Sequence, residues 1–490
     1  MENYKRKFKG KKITVMGLGI LGRGLGYTKF LAECGADLIV TDLKSKEQLA
    51  SSTKALQNLS RKDLGKIRFV LGKHRLEDFR DRDIIMKAAG VSLGSIYIKE
   101  ARKNNIPVEM DVSLFSKLAK EVTIIGVTGT RGKSMTTALI YEILKKNEKF
   151  LKYPSTVLRT KKPSVFLGGN VRGVATLPLL KKVKKGDILV CELDSWQLQG
   201  FGDAKISPHI SVFTSFMPDH MNYYGSTSLT TSEKAMERYF RDKANIFKYQ
   251  KKDDILIIRP DVKKLIQSFS STLKGGGKGE VLKSKLIIIN IKDLNKYNFS
   301  VLGKFQKENL ACAIEVAKQF KVPDSKIAQA LKSFRGLEGR LQYVKTVKGV
   351  KIYNDNNATT PEATMAGIEA LKGNRNIILI CGGADKKLLL DNFVKVMNKY
   401  CKAVIMIPGT GTDILSSRKL KVESYKVENL NKAVEKAKKL AKTGDIILFS
   451  PAFTSFGQFN NEYERGDLFM KIIKKLPARN AFSIADAGGK

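Results

Sequence analysis

The sequence predicts an α/β protein of three domains, each a parallel sheet covered by helices. Three observations carry that prediction: short apolar runs alternate with helical patterns, two of those runs end in glycine turns that open helices, and 490 residues exceed one ordinary core. At about 100 to 200 residues per domain, three domains fit the length.

Strands are expected in KKITVMGLG, ADLIVTD and RDIIMKAAG, with a helix-like stretch around Thr28 to Cys34. A second unit opens at EVTIIGVTG and continues through GDILVCEL and HISVFTSF. The third is expected to contain VKIYNDNNAT, NIILICGG, AVIMIPG and GDIILFSPA. Boundaries fall near Lys120 and where GLEG, Gly336 to Gly339, breaks the pattern, giving domains 1–120, 121–336 and 337–490. The segment from Ser270 to Gly279 is expected to be an exposed loop, and ARNAFSIADAGGK a tail. No fixed-period repeat is present, which excludes a solenoid.

Composition narrows the class. No stretch of about 20 apolar residues exists, so no membrane partner is expected. The basic start MENYKRKFKGKKITVM passes directly into a strand-like segment, without a secretory apolar region, and a cytoplasmic protein is expected. Cys34, Cys191, Cys312, Cys381 and Cys401 are scattered without CxxC spacing, which suggests reduced thiols and no thiolate metal site. The formal net charge of +42 makes nucleic acid the first macromolecule to weigh. Its distribution argues for no nucleic-acid partner: lysines run through the whole chain, with no arginine-rich arm and no aromatic RNA-binding signature.

The strongest chemical signal is GVTGTRGKSMTT, Gly126 to Thr137, between an apolar strand and an amphipathic helix. A strand, a glycine turn and a helix start aim backbone N–H groups at an anion, while Lys133 supplies a cation and Ser134 a hydroxyl for Mg²⁺. That arrangement suits the β- and γ-phosphates of ATP. The common pattern needs glycine at position 127, where valine stands, so this is a variant loop. Near the start, Gly17, Gly19 and Gly22 form G-x-G-x-x-G after a strand, and Asp42 ends the next strand. These fit a nucleotide held by its diphosphate and ribose, with NAD and a UDP-sugar equally open.

The ordered series TGTRGKS, CELDSWQLQ, PDHMNYY, GRL, NDNNATTPEA, GGADKK and SPAFTSFGQFNNEYERG resembles the Mur ligase family, from Val15 to Gly466. The closest resemblance is to members that add D-glutamate to UDP-N-acetylmuramoyl-L-alanine during peptidoglycan synthesis. It implies a Rossmann-like N-terminal domain for the UDP moiety, a central P-loop-type ATPase and a Rossmann-like C-terminal domain for the amino acid. The implied cofactors are ATP and two Mg²⁺ ions, and a monomer is expected.

Residue by residue, the resemblance gives Gly129, Thr130, Gly132, Lys133, Ser134 and Met135 to the triphosphate loop, although Arg131 stands where asparagine is usual. It makes Ser134, Glu192 and His220 metal ligands, and it implies a lysine that carries a CO₂-derived carbamate and becomes an anionic ligand. Lys243 in YFRDKANIF is the best match, with Lys234 and Lys248 as neighbours that could be confused with it. The spacing from His220 is long, with GSTSLTTSEKA as an apparent insertion. His74 and His209 receive no role. Asn309 matches an adenine-reading residue, with Phe305 and Gln306 in place of the usual His-Asn pair. Arg340 and Asp355 match residues that hold ATP from the C-terminal side. Gly19, Asp42 and Asn170 match contacts to the UDP substrate, while Ala89 replaces a usual serine.

The implied reaction is attack of a substrate carboxylate on the γ-phosphate, giving an acyl phosphate, then attack by an amino group. Lys133, Glu192, His220 and Lys243 are the expected catalytic set. In the amino-acid pocket Lys386 and Ser455 match, but Asn357 stands for a lysine and Glu462 for an aromatic. A different amino acid is therefore the first alternative, and a folylpolyglutamate synthase-like ligase the second.

Overall fold

The computed structural model describes residues 4–59, 65–152, 162–221, 223–225, 233–272, 282–292, 294–297, 304–334, 336–386 and 388–476. The expected tail, the glycine-rich heart of the expected 270–279 loop and most of the apparent insertion lie outside them.

The first sheet comprises β1 (Lys12–Met16), β2 (Asp37–Asp42), β3 (Ile67–Leu71), β4 (Ile84–Lys87) and β5 (Val108–Glu109), all parallel, in the order β3-β2-β1-β4-β5. The second holds β6 (Thr123–Thr128), β7 (Val165–Gly169), β8 (Ile188–Glu192), β9 (Ile210–Phe213), β10 (Ile255–Ile258) and β11 (Lys285–Ile288). It too is parallel, in the order β11-β10-β9-β6-β8-β7. The third is built from β12 (Gln342–Val347), β13 (Val350–Asn354), β14 (Ile377–Gly382), β15 (Cys401–Ile407), β16 (Glu423–Lys426) and β17 (Ile446–Phe449). Its order is β12-β13-β17-β14-β15-β16, with β12 antiparallel to β13.

Central strands are buried on both faces, as crossover helices require, and read as unbroken apolar runs. ILVCE of β8 and IILICG of β14 are buried at every position. The chain forms two compact units: the first two sheets share one, and the third sheet lies in the other. Two expectations are corrected. The helix placed around Thr28 to Cys34 runs from Arg23 to Glu33, starting at the glycine turn itself. The third sheet is not wholly parallel, because Lys348 and Gly349, both at positive φ, turn β12 back along β13.

Within the first unit, a few polar contacts tie the two sheets together. Both oxygens of the buried Asp111 accept backbone N–H bonds, from Thr176 at 2.8 Å and Leu177 at 2.7 Å. Lys181 pairs with Glu33, and Arg102 with Asp203 at 3.0 Å. Among the described residues, no helix is long and apolar enough to cross a membrane.

The helix Arg23–Glu33 sits so close to its turn that a Cβ at Gly24 would stand 1.9 Å from the Leu18 carbonyl oxygen. Gly24→Ala should therefore destabilise the first unit by about 1–3 kcal/mol through forced repacking, read from urea unfolding. Unchanged stability would show that this turn is loosely held.

Candidate active site

In open α/β sheets, ligands bind beyond the carboxyl ends of strands where the strand order reverses. In the second sheet that place is the end of β6, flanked by β8 and β9. The loop Gly129–Gly132 leaves β6 there and enters the helix Lys133–Lys146. Gly129 has φ 140° and Gly132 φ 89°. A Cβ at Gly129 would lie 2.1 Å from Thr214 Oγ1, so only glycine lets the loop follow this path.

The segment after β9 braces the loop. Thr130 N–H donates to the Ser215 carbonyl at 2.8 Å, and Arg131 N–H to Ser215 Oγ at 2.8 Å. Thr130 Oγ1 donates to the Met217 carbonyl at 3.0 Å and accepts from Met217 N–H at 3.1 Å. From the other side, Asn309 Oδ1 would stand 2.4 Å from a Cβ on Gly132 and accepts from Thr136 Oγ1 at 3.3 Å. Asn309 is buried, and these contacts make it a wall of the loop. Met135 is buried beneath the same turn, in the first turn of the helix that carries Lys133 and Ser134.

Two ammonium groups meet at one oxygen. Lys133 Nζ donates to the Gly129 carbonyl at 3.0 Å and to that of Thr130 at 3.1 Å, and Lys243 Nζ donates to the same Gly129 carbonyl at 2.9 Å. Lys243 comes from the helix Glu233–Ala244, is 1% exposed, and lies 4.7 Å from the Tyr239 ring centroid. Its pKa is held well below the ordinary lysine value, first by burial and then by the Lys133 charge, against the pull of Asp194, Asp219 and Asp242.

Glu192 ends β8, in register with Val127 of β6 and Gly169 of β7. It is buried, and its Oε1 accepts from Asn170 Nδ2 at 3.3 Å. His220, at φ 56°, lies after β9 with its ring 4.8 Å from that of Trp196 and its Nε2 3.7 Å from Asp219 Oδ2. Asp219 also faces the Arg131 guanidinium at 3.9 Å. Thus residues expected from six separated motifs lie at or after the carboxyl ends of β6, β7, β8 and β9, or reach the same loop from helices. Among the described residues, no three His, Cys, Asp or Glu side chains form a ready metal cluster.

In the first sheet, the turn after β1 is closed by Asp42, whose Oδ2 accepts from Gly19 N–H at 2.9 Å and whose Oδ1 accepts from Lys44 N–H at 2.9 Å. Each oxygen keeps a lone pair for a ligand hydroxyl. The loop after β4, where Ala89 stands, is fixed by a residue the sequence reading missed. Lys87, 2% exposed, donates to the carbonyls of Ala88, Ala89 and Val91, at 3.2, 3.3 and 2.7 Å. Burial pulls its pKa down to about 8.

The second unit holds the remaining candidates. Asp355, after β13, accepts from Ser450 Oγ at 2.8 Å and Leu341 N–H at 2.9 Å, and burial pushes its carboxyl up to about 7 against the nearby Arg340 charge. Lys386 Nζ lies 3.4 Å from Thr359 Oγ1, and Ser455 is buried. Asn357 packs beneath Gly339, and Glu462 opens the helix Glu462–Lys474. Sequence reading also missed Arg465, fully buried and bonded to Asn356 Oδ1 at 2.8 Å, the Asn356 carbonyl at 3.1 Å and the Phe453 carbonyl at 3.2 Å. Its only sequence signal was the ERG that closes the last motif.

Residues 127–317 match the model of the Mur ligase middle domain, and residues 339–453 that of the Mur ligase glutamate ligase domain. The chain is 35% identical to the UDP-N-acetylmuramoylalanine--D-glutamate ligase of Borreliella afzelii (strain PKo), over 96% of this chain and 99% of the relative. The chain belongs to the Mur ligase family. The Mur ligase relative of the same name from Roseiflexus sp. (strain RS-1) is 32% identical, over 95% and 99% of the two chains. Among solved structures, the fold resembles UDP-N-acetylmuramate-alanine ligase MurC of Thermotoga maritima, with TM-score 0.56 and 19% identity over 95% of this chain and 99% of that one. It also resembles MurF ligase of Thermotoga maritima in complex with ADP, with TM-score 0.53 and 17% identity over 96% and 97%. Mur ligases are ATP-dependent amide-bond-forming enzymes, and the present chain is one of them.

The Lys243 environment makes a pH prediction. A lysine whose folded pKa lies below its unfolded value, about 10.4, binds fewer protons folded than unfolded, so stability climbs as pH rises through that window and is lowest beneath it. In CO₂-depleted buffer, the wild-type urea midpoint should rise between about pH 7 and about pH 9, and Lys243→Met should flatten part of that rise. Equal slopes would mean that Lys243 titrates alike in both states.

Proposed function

We propose that this chain joins D-glutamate to UDP-N-acetylmuramoyl-L-alanine with ATP, in the cytoplasmic synthesis of peptidoglycan precursors, acting as a monomer. The observation that carries the reading is the glycine loop after β6, on which Lys133 and Lys243 converge. The full-length relatives named for that reaction support the choice of substrates.

In this reading residues 1–120 hold the UDP substrate through Gly19 and Asp42, joined by Asn170 of the central domain, residues 121–336 hold ATP, and residues 337–490 hold the amino acid. The substrate carboxylate attacks the γ-phosphorus, the bond to the ADP oxygen breaks, and an acyl phosphate forms. The amino nitrogen then attacks the acyl carbon, loses a proton and expels inorganic phosphate. Joining anions is the electrostatic obstacle. The Lys133 ammonium, released from the carbonyls of Gly129 and Thr130, neutralises charge on the transferring phosphoryl group, and the loop N–H groups orient it. Ser134, Glu192, His220 and a carbamylated Lys243 would hold two Mg²⁺ ions in this reading, and the ions would supply positive charge to the phosphate oxygens.

The residues fit that group on one condition. As an ammonium beside Lys133, Lys243 would repel a divalent cation. Its burial favours the neutral amine, the form that adds to CO₂, and the resulting carbamate is an anionic oxygen ligand. Arg340 and Asp355 are assigned to ATP, Lys386 and Ser455 to the amino acid. The second reading, a different amino acid, rests on the charge of the pocket. Asn357 removes a cation and Glu462 adds an anion, which weakens attraction for a dicarboxylate.

Lys133→Ala should abolish phosphate release while leaving binding of the UDP substrate nearly intact, by calorimetry. Normal turnover in that variant would remove Lys133 from the reaction. Activity should fall in CO₂-free buffer, and Lys243→Ala should be partly rescued by short carboxylic acids. Phosphate release with UDP-N-acetylmuramoyl-L-alanine across D- and L-amino acids should peak at D-glutamate, and a stronger response to another amino acid would establish the second reading.

A further inference from the structure

We propose that Arg23 is a positioning residue for the metal-site carboxylate: from the UDP-binding turn it orients the Asn170 amide, which in turn orients Glu192. This rests on the proposed reaction only for the assignment of Glu192 as a metal ligand. Arg23 Nη1 donates to Asn170 Oδ1 at 2.7 Å, and Asn170 Nδ2 donates to Glu192 Oε1 at 3.3 Å. The backbone reinforces the link, since Asn170 N–H donates to the Glu192 carbonyl at 2.7 Å.

The chemistry of the three groups fixes the direction of the bridge. A guanidinium can only donate, a carboxylate can only accept, and an amide does both from opposite edges. With Arg23 claiming the amide oxygen, the amide NH₂ must face Glu192. Without Arg23 the amide can flip, turning its oxygen on the carboxylate and releasing it from its half-buried donor.

The bridge is held by packing on both sides. Arg23 is the first residue of its helix, directly after Gly22 at φ 85°. A Cβ at Gly22 would stand 3.5 Å from Gly173 Cα, and one at Gly26 would stand 2.6 Å from Ala175 Cβ. Two glycines thus let the helix press against the segment that follows Asn170. Asp111 pins the far end of that segment through Thr176 and Leu177. On the other side, a Cβ at Gly169 would meet the Glu192 carbonyl oxygen at 2.1 Å, so β7 and β8 are in close register where the bridge ends. The turn that reads the UDP substrate and the carboxylate that reads metal are therefore joined by a short polar chain with few degrees of freedom.

The test measures Mn²⁺ binding by electron paramagnetic resonance, with a non-hydrolysable ATP analogue present, for the wild type, R23L, R23K, N170A and R23L/N170A. Supporting residues behind a metal ligand typically change affinity by about tenfold or more. R23L should weaken Mn²⁺ about tenfold, R23K should restore most of the loss, and R23L should add nothing in the N170A background, because the two act in series. Wild-type Mn²⁺ affinity in R23L, or losses that add in the double variant, would overturn the proposal. R23Q, which keeps a donor on a shorter neutral side chain, carries the same comparison if R23L fails to fold, with an intermediate loss expected and none overturning it. Absence of nucleotide-dependent Mn²⁺ binding in the wild type would overturn the assignment of the metal site itself, and so the parent reading.

Discussion

Two lysine side chains donating to one carbonyl oxygen, that of Gly129, is the interaction on which the rest of the site turns. A carbonyl dipole cannot balance a half-buried Lys133 cation and a second, buried one at Lys243, around which water is largely excluded. The protein lowers the cost in two ways. It places Asp194, Asp219 and Asp242 close enough to favour the Lys243 cation, and it lets burial favour the neutral amine. Both leave the loop with positive potential and donors already aimed inward, so a polyphosphate arriving there replaces a poor partner with a good one. The same tension explains why the proposed metal site would need a chemical change at Lys243, since a switch of sign at that nitrogen would turn a repelling group into a ligand.

Geometry at the sheet edge makes the interaction possible. Gly126, Gly129, Gly132 and Gly169 all sit where a Cβ would come within 2.5 Å or less of a neighbouring atom. Side chains of Pro208, Thr214 and Asn309 therefore pack directly on bare main chain at Gly126, Gly129 and Gly132, and β7 meets the β8 backbone at Gly169. Thr214 and Ser215 then clamp the loop through backbone groups, which fixes its path without occupying the N–H groups an anion would use further along the helix start.

This division explains what the sequence could disclose. Strands such as β1, β6, β8 and β14 were legible because burial on both faces makes them apolar runs ending in glycine or acidic punctuation, and β17 because its apolar run stops at Ser450-Pro451. The strands that went unread are mostly edges: β11, β12 and β16 have largely exposed or half-buried residues, and β5 is only two residues long. β10 is an exception, since ILII is fully buried and was readable. In the site, motif residues were legible because their types carry chemistry. Lys87, Arg465 and Arg23 were not, because a lysine or arginine in sequence looks like surface charge, and only the fold reveals that its donors close on carbonyls or an amide.

The third sheet shows how such hidden cations separate scaffold from specificity. Arg465 bonds both the side chain and carbonyl of Asn356, and the carbonyl of Phe453, while Asn356 Nδ2 donates to the Glu462 carbonyl at 2.7 Å. One buried guanidinium, its pKa drawn down to about 10 by desolvation, thus ties together the backbone on which Asn357, Ser455 and Glu462 are carried. Those ties run mainly through Asn356 and main-chain oxygens; Asn357 joins them through its Oδ1, which accepts from Asn356 Nδ2 at 3.3 Å, and Glu462 through its carbonyl. The two substitutions can therefore change the charge offered to an amino acid while the frame that presents it stays in place. In the proposed reading, specificity at this pocket is accordingly a matter of which charges stand on that scaffold, and the substrate panel reads that charge pattern directly.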